Sequence, residues 1–244
     1  MNKSTEKSLD YQQGIMKKEL LHLLDYTSGL FKKNNIPFWL ACGTLLGAVR
    51  EGKLIPWDTD LDIGMWESDA QKLIDLELII LSDGFQVEHV AEDLPYVIGR
   101  YKEWGLLKDW NPDKHVQSHY YYRICFRSRH IDIRYTIIND SMAFCKGWPH
   151  NRCPSEDLQN LKEIEFEGKM YPCPRNPEEW LKTNYGEDWE TPKIESYMIP
   201  RLSKDILKKY ADKIFHNKLM PPYIDINEDE NLNKKNERQE GKNG

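Results

Sequence analysis

Between Leu9 and Lys33 the apolar side chains Leu20, Leu21, Leu24 and Phe31 fall near one stripe, a spacing that predicts an amphipathic helix, which Asn34-Asn35 ends. A short apolar run, Pro37 to Ala41, follows and reads as a buried strand. It runs into Cys42-Gly43-Thr44, where the glycine permits a tight turn and the threonine is expected to cap a helix over TLLGAVRE. The period then changes. Asp58, Asp60 and Asp62 stand on alternate residues and lead into DLDIGM, a strand ending at Trp66; side chains two apart on a strand share a face. Ser68 with Gln71 then makes a capping-box pattern ahead of one helix that places Ala70, Leu73, Ile74, Leu78 and Leu81 at helical spacing.

Further along, FQVEHV, YVIGRYK, HYYYRICFRS and HIDIRYTII read as strands by their β-branched and aromatic content, and EIEFEGKMY as a hairpin. NPEEWLKTNYGEDWETP and a helix near Ser203 to Phe215 make a C-terminal helical segment. The expected fold class is therefore α/β (α+β), a mixed β-sheet flanked by helices. No internal repeat or linker interrupts Asp10 to Pro222, so residues 1–222 read as one domain. After Tyr223 there is almost no apolar residue, and 223–244 reads as a disordered charged tail.

The 244 residues suffice for a real core. With 34 Lys+Arg against 40 Asp+Glu and a net charge of −6, the chain lacks the basic surface of a nucleic-acid binder. MNKSTEKSLDYQQG has no apolar signal-peptide core, and LELIILS is too short to span a bilayer; the expectation is a cytoplasmic protein with no membrane-spanning segment. Five cysteines make an odd, sparse set that fits reduced thiols. Cys145, His150, Cys153 and Cys173 give C-x4-H-x2-C-x19-C, an irregular set for structural Zn2+; ordinary buried thiols and a loop histidine are the preferred account.

Chemistry concentrates at the three aspartates. Like charges at that spacing repel unless a cation joins them, and Mg2+ takes one or two carboxylates together with phosphate oxygens. Asp60 and Asp62, flanked by Leu61 and Ile63, are costly without a counter-ion. Asp58 reads equally as a turn former or as a further ligand. Gly43 and Thr44, at a strand-to-helix turn, read as a phosphate cradle or as a simple capped turn.

A glycine and hydroxyl turn followed by an acidic pair resembles the nucleotidyltransferase superfamily. GTLLGAVREGKLIPWDTDLDIGM resembles the signature of the LicD family, whose relatives include the fukutins: Gly43, Thr44, Leu45, Leu46, Gly47, Arg50, Ile55, Pro56, Trp57, Asp58, Asp60 and Asp62 match, and Thr59 departs from it. Asn35 to Leu40, Trp180-Leu181-Lys182 and Tyr185-Gly186 extend the likeness over roughly residues 15 to 195. The resemblance implies a nucleotidyltransferase-like sheet. It also implies transfer of a phosphoalcohol (phosphocholine, or ribitol or glycerol phosphate) from a CDP-activated donor to a hydroxyl of a glycan or glycolipid, as in lipopolysaccharide or teichoic acid synthesis. Asp60 and Asp62 would hold Mg2+ (or Mn2+), with Asp58 as a further ligand. Asp132 would take the acceptor's proton, and Arg134, on the same strand face, would hold a phosphate oxygen; Arg50 and Arg127 are weaker candidates of the same kind. Trp57, Trp104, Trp110, Tyr120, Tyr121 and Tyr122 would supply a cation–π box for choline, against the alternative that they are core. Two other readings stand beside this one: an Asp-x-Asp glycosyltransferase using a nucleotide-sugar, and a non-catalytic nucleotide-binding relative.

Overall fold

The computed structural model describes residues 3–90, 121–146 and 148–192, and the elements below belong to the unit Met1–Glu190. The strand expected over residues 96–102, the helix near 203–215 and the tail from 223 lie outside the described residues. The first apolar stripe forms helix α1, Lys3–Lys33, which begins earlier than expected and buries Leu20, Leu24 and Phe31. Asn35 ends it as foreseen: at φ 52 it lets Ile36 N–H donate to the Phe31 carbonyl at 3.0 Å, a left-handed helix stop.

Five strands make the main sheet in the order β1-β2-β5-β4-β3: β1 Phe38–Leu40, β2 Leu61–Trp66, β3 Gln86–Val90, β4 Tyr121–Phe126 and β5 Arg129–Asn139. Only β2 and β5 run parallel. Two further strands, β6 Met142–Cys145 and β7 Trp148–Pro154, extend the sheet from the far end of β5. Their sequences conceal them, since WPHNRCP carries two prolines and no alternation. The hairpin expected over residues 163–171 is present as β8 Lys162–Phe166 and β9 Lys169–Cys173. Its turn has φ 51 at Glu167 and φ 79 at Gly168, the left-handed pair that suits a two-residue hairpin loop. Glu167 also anchors the tip, donating from its N–H to Gly52 at 2.8 Å and accepting from Leu54 N–H at 2.9 Å.

The remaining helices are α2 Cys42–Glu51, α3 Ala70–Ile74, α4 Glu77–Ser82, α5 Ser155–Gln159 and α6 Pro177–Tyr185. The single helix expected after β2 is instead a 3-10 turn over Glu67–Asp69 followed by the two short helices α3 and α4. Its capping box does not close, because Gln71 spends its amide on Asp75 at 2.8 Å.

Alternation gives the sheet two different faces. Leu61, Ile63, Tyr122, Ile124, Ile131 and Ile133 are fully buried on the face that α1 covers. The opposite face carries Asp62 and Gly64 of β2 beside Asp132, Arg134 and Thr136 of β5. Gly64 lacks a side chain there for a steric reason: a Cβ would run into the indole of Trp39, which crosses from β1 and packs edge-on against Trp66 at 5.1 Å. Gly64→Ala must push aside a buried tryptophan, an overpacking cost of about 1–3 kcal/mol. The expected result is a fall in melting temperature of about 3–10 °C, read by circular dichroism, with Trp39→Leu in the same chain restoring part of it.

Candidate active site

The site begins where β1 stops. β1 pairs with β2 as far as Leu40 opposite Ile63; Ala41 N–H then donates to the Asp62 carbonyl at 3.1 Å, and the chain turns at Cys42, φ 45, into α2. The Thr44 hydroxyl swings back to accept the Asp62 N–H at 2.8 Å. Both backbone polar groups of Asp62 are thereby satisfied from the head of α2. Thr44 does not cap that helix, whose N-cap is Ala41 without a side-chain bond. Nor is Thr44 available to a phosphate, being 3% exposed and committed to β2. Gly43 makes room for a carboxylate: a Cβ on it would lie 2.5 Å from Asp58 Oδ2. The positive end of α2 thus already faces an acid.

Parallel register sets Asp62 directly opposite Asp132. One step earlier on each chain stand Asp60 and His130; one step later, Gly64 and Arg134. Arg134 reaches back over the rung, Nε donating to Asp62 Oδ1 at 2.9 Å and Nη2 to Asp132 Oδ2 at 3.3 Å. Arg123, opposite Asp132 on β4, donates from Nε to Asp132 Oδ1 at 2.7 Å and from Nη1 to Glu88 Oε2 at 3.1 Å. The Tyr121 ring lies under both guanidinium groups, at 4.8 Å from Arg134 and 5.7 Å from Arg123. On the outer side, His130 Nε2 is 3.5 Å from Asp60 Oδ2 and 3.9 Å from Asp132 Oδ1. Among the described residues, Asp60, His130 and Asp132 form the one group whose ligand atoms all lie within 4.8 Å of each other, the dimensions of a metal site.

Charge is balanced unevenly. Burial, with Asp60 and Asp132 adding to it against Arg134, pushes Asp62 up to about 6. Burial and then the Asp60 and Asp62 charges push Asp58 up to about 8. For Asp60 burial acts upward, but hydrogen bonds with His130 and Asp58 win and hold it below the ordinary carboxylate value. Burial and then Asp62 raise the Cys42 thiol well above its usual range, and Asn151 Nδ2 lies 3.1 Å from its sulfur. Behind Arg134 a cavity of about 20 Å3 is lined by Trp39, Cys42, Cys145, Asn151 and Trp180, among others; it has room for a water but none for a nucleoside.

Residues 35–176 match the family model described as LicD/FKTN/FKRP, nucleotidyltransferase domain. The chain belongs to this family. Mouse FKRP, a ribitol 5-phosphate transferase, is 24% identical over 166 residues, covering 66% of this chain and 30% of that protein. The lipopolysaccharide cholinephosphotransferase LicD of Haemophilus influenzae is 35% identical over 74 residues, 30% of this chain and 28% of that protein. Human FKTN, a ribitol-5-phosphate transferase, is 36% identical over 72 residues, 30% of this chain and 14% of that protein. The chain thus spans under a third of the length of these relatives. Among solved structures, the antibiotic-resistance factor ANT(2″)-Ia aligns with TM-score 0.43 and 13% identity over 82% of this chain and 98% of that one.

Within the LicD/FKTN/FKRP segment, Asp58, Asp60, Asp62, Asp132 and Arg134 lie together. The three alternating aspartates do not share one strand, because β2 starts at Leu61, leaving Asp58 and Asp60 in the approach to it. Arg127 does not join them: it turns the β4–β5 hairpin at φ 56, stacks on Phe126 and pairs with Glu19 of α1 at 2.9 Å. Arg50 lies in the last turn of α2, at the far end from Asp58, with Glu51 3.9 Å away. Of the aromatics proposed for choline, Tyr122 is core on the α1 face, Tyr121 carries the two arginines, and Trp104, Trp110 and Tyr120 lie outside the described residues. Cys145, Cys153 and Cys173 are buried free thiols that do not draw together into a metal-sized group among the described residues; the His150 side chain lies outside them. His130 and Arg123 are additions that the motif did not supply.

The raised Asp58 fixes a pH dependence. Its ordinary value is 3.8 and its folded value about 8, so between those limits the native chain retains a proton that the unfolded chain releases. Stability contributed by this group is therefore intact below about pH 4 and is lost as pH rises to about 8. In chelator, Asp58→Asn is expected to melt with wild type near pH 4 and several degrees higher near pH 8, measured by calorimetry across that range; a constant gap, or one that closes with rising pH, would contradict it.

Proposed function

We propose that the chain transfers a phosphoalcohol, such as phosphocholine or ribitol or glycerol phosphate, from a CDP-activated donor to a hydroxyl group of a glycan or glycolipid. The observation that carries this reading is the convergence of Asp60, Asp62 and Asp132 from two parallel strands beside two guanidinium groups. It occurs in a family whose named relatives transfer phosphocholine or ribitol phosphate.

The residues fit a divalent cation. Their donors are carboxylates and one imidazole at ligand spacing, and burial together with the neighbouring acids raises both Asp58 and Asp62, which a bound cation would offset. Asp60 and Asp62 would hold Mg2+ or Mn2+, with Asp58 at the edge of the set. When bound, the ion neutralises charge that builds on the diphosphate as the bond to the leaving CMP breaks.

The chain's own groups supply the rest. Arg134 and Arg123 fix the carboxylates and present planar donors suited to phosphate oxygens. Asp132 is 2% exposed and gripped from both sides, which suits an anchor better than a base that an alcohol must approach. That shifts its role from the proton acceptor expected of it.

A panel of CDP-choline, CDP-ribitol, CDP-glycerol and UDP-sugars, with CMP release and product mass as readouts, tests the reading. One CDP-alcohol is expected to turn over and the UDP-sugars are not. Asp60→Asn and Asp62→Asn should each lower turnover on the order of a thousandfold with the melting curve retained. Turnover of a UDP-sugar alone, or undiminished activity in chelator, would replace this function with another.

A further inference from the structure

We infer that His130 is itself a ligand of the active-site cation, through Nε2, and that it selects a first-row transition ion such as Mn2+ over Mg2+. The inference rests on the metal-dependent reading above and goes beyond it in naming the donor and the ion.

The argument starts from register. The register of β2 with β5 begins at Leu61 opposite Ile131, and Asp60, just before it, carries its Oδ2 to 3.5 Å from His130 Nε2, so the two side chains fall side by side. The two strands present matching triplets, Asp-Leu-Asp and His-Ile-Asp, with an imidazole where the second would otherwise carry an acid. The inner row is partly engaged. Asp62 Oδ1 accepts from Arg134, and Asp132 accepts from Arg134 and Arg123. The outer row is open: the Asp60 and His130 side chains are 30% and 29% exposed, and with Asp132 they keep their ligand atoms within 4.8 Å of one another. An imidazole is the economical donor here. Asp58, Asp60, Asp62 and Asp132 already outnumber the two arginines, and a fifth carboxylate would add repulsion where a neutral nitrogen adds none.

Donor chemistry then decides the ion. Mg2+ favours an all-oxygen octahedron and is reluctant to take nitrogen, whereas Mn2+ and its first-row neighbours accept imidazole together with carboxylate. His130 therefore biases the site away from Mg2+, and His130→Asp restores an oxygen set.

The test uses the full chain stripped with chelator and reloaded with Mn2+. Electron spin echo modulation should show one histidine nitrogen coupled to the bound Mn2+, and the coupling should vanish in His130→Asp. Free-Mn2+ resonance titration should give an affinity about 10–100-fold lower in His130→Ala. Displacing half of the Mn2+ should take Mg2+ in roughly hundredfold excess in wild type, and far less in His130→Asp. Absence of nitrogen coupling in wild type, or its persistence in His130→Asp, overturns the inference. Because these readouts need no substrate, they separate the two claims: CDP-alcohol transfer with Mg2+ and no nitrogen coupling sinks only the His130 assignment. Nitrogen coupling in a chain that turns over no CDP-alcohol upholds His130 and sinks the transferase.

Discussion

One rung of a parallel ladder places two carboxylates, Asp62 and Asp132, opposite each other at strand spacing, and Arg134 is what makes that rung tenable. Neighbouring strands lie about 4.8 Å apart, so two buried like charges there repel strongly unless a cation sits between them. The guanidinium must lie low across the sheet to reach both. Its register partner is Gly64, which adds no side chain of its own to that surface, and the Trp39 indole packs over the glycine. A larger residue at 64 would displace the indole and disturb the cation's seat together. The acidic pair, the glycine and the tryptophan are thus parts of one steric and electrostatic arrangement.

Neutralisation stops at that inner row. Arg134 and Arg123 answer Asp62 and Asp132, while Asp60 has His130 Nε2 at 3.5 Å. Burial, and then the charges of Asp60 and Asp62, hold a proton on Asp58 above the ordinary carboxylate range. In the free protein this is a local loss of stability. The proposed cation would act on the same property, since whatever relieves the repulsion recovers the stability that folding gave up. The apolar face beneath α1 supplies the reserve: Leu24, Phe31, Leu61, Ile63, Tyr122 and Ile133 are buried there.

How much of this the residues announced depends on how local each signal is. The alternation of Asp58, Asp60 and Asp62, the Asn35 helix stop and the Glu167-Gly168 turn are short-range, and each appears where expected apart from the late start of β2. β6 and β7 were not legible, because their pairing is set by the end of β5 and not by any pattern of their own. The helix after Trp66 was expected to bury Ala70, Leu73, Ile74, Leu78 and Leu81, but the break at Asp75 and Leu76 turns the second helix about its axis, so that Leu73, Leu76 and Ile80 are buried and Ile74, Leu78 and Leu81 are exposed. Arg123 was recoverable in principle. A two-residue loop at Arg127-Ser128 sets Phe126 opposite Arg129, and counting back three residues on one strand and forward three on the other brings Arg123 to Asp132. His130 needed the parallel pairing of β2 with β5, a contact between residues some seventy apart that no local pattern encodes. Thr44 was misassigned for a related reason: a threonine at a helix start reads as a cap until the strand it serves is in place.

The two outer donors differ in how they are held, and that difference bears on how an ion enters. His130 is part of β5, paired with Cys125 on β4, and Asp132 follows it under two arginines; neither backbone can shift without breaking a ladder. Asp60 precedes β2, in a bend between Thr59 and Leu61. A site whose donors are all rigid must already match the ion's radius, whereas one flexible carboxylate lets the remaining donors stay fixed while the shell closes around ions of different size. The fold puts that freedom in Asp60. The early end of β1 accompanies it: Ala41 and Thr44 satisfy Asp62 from the side, and the β2–β5 ladder begins at Leu61, which leaves Asp60 outside it.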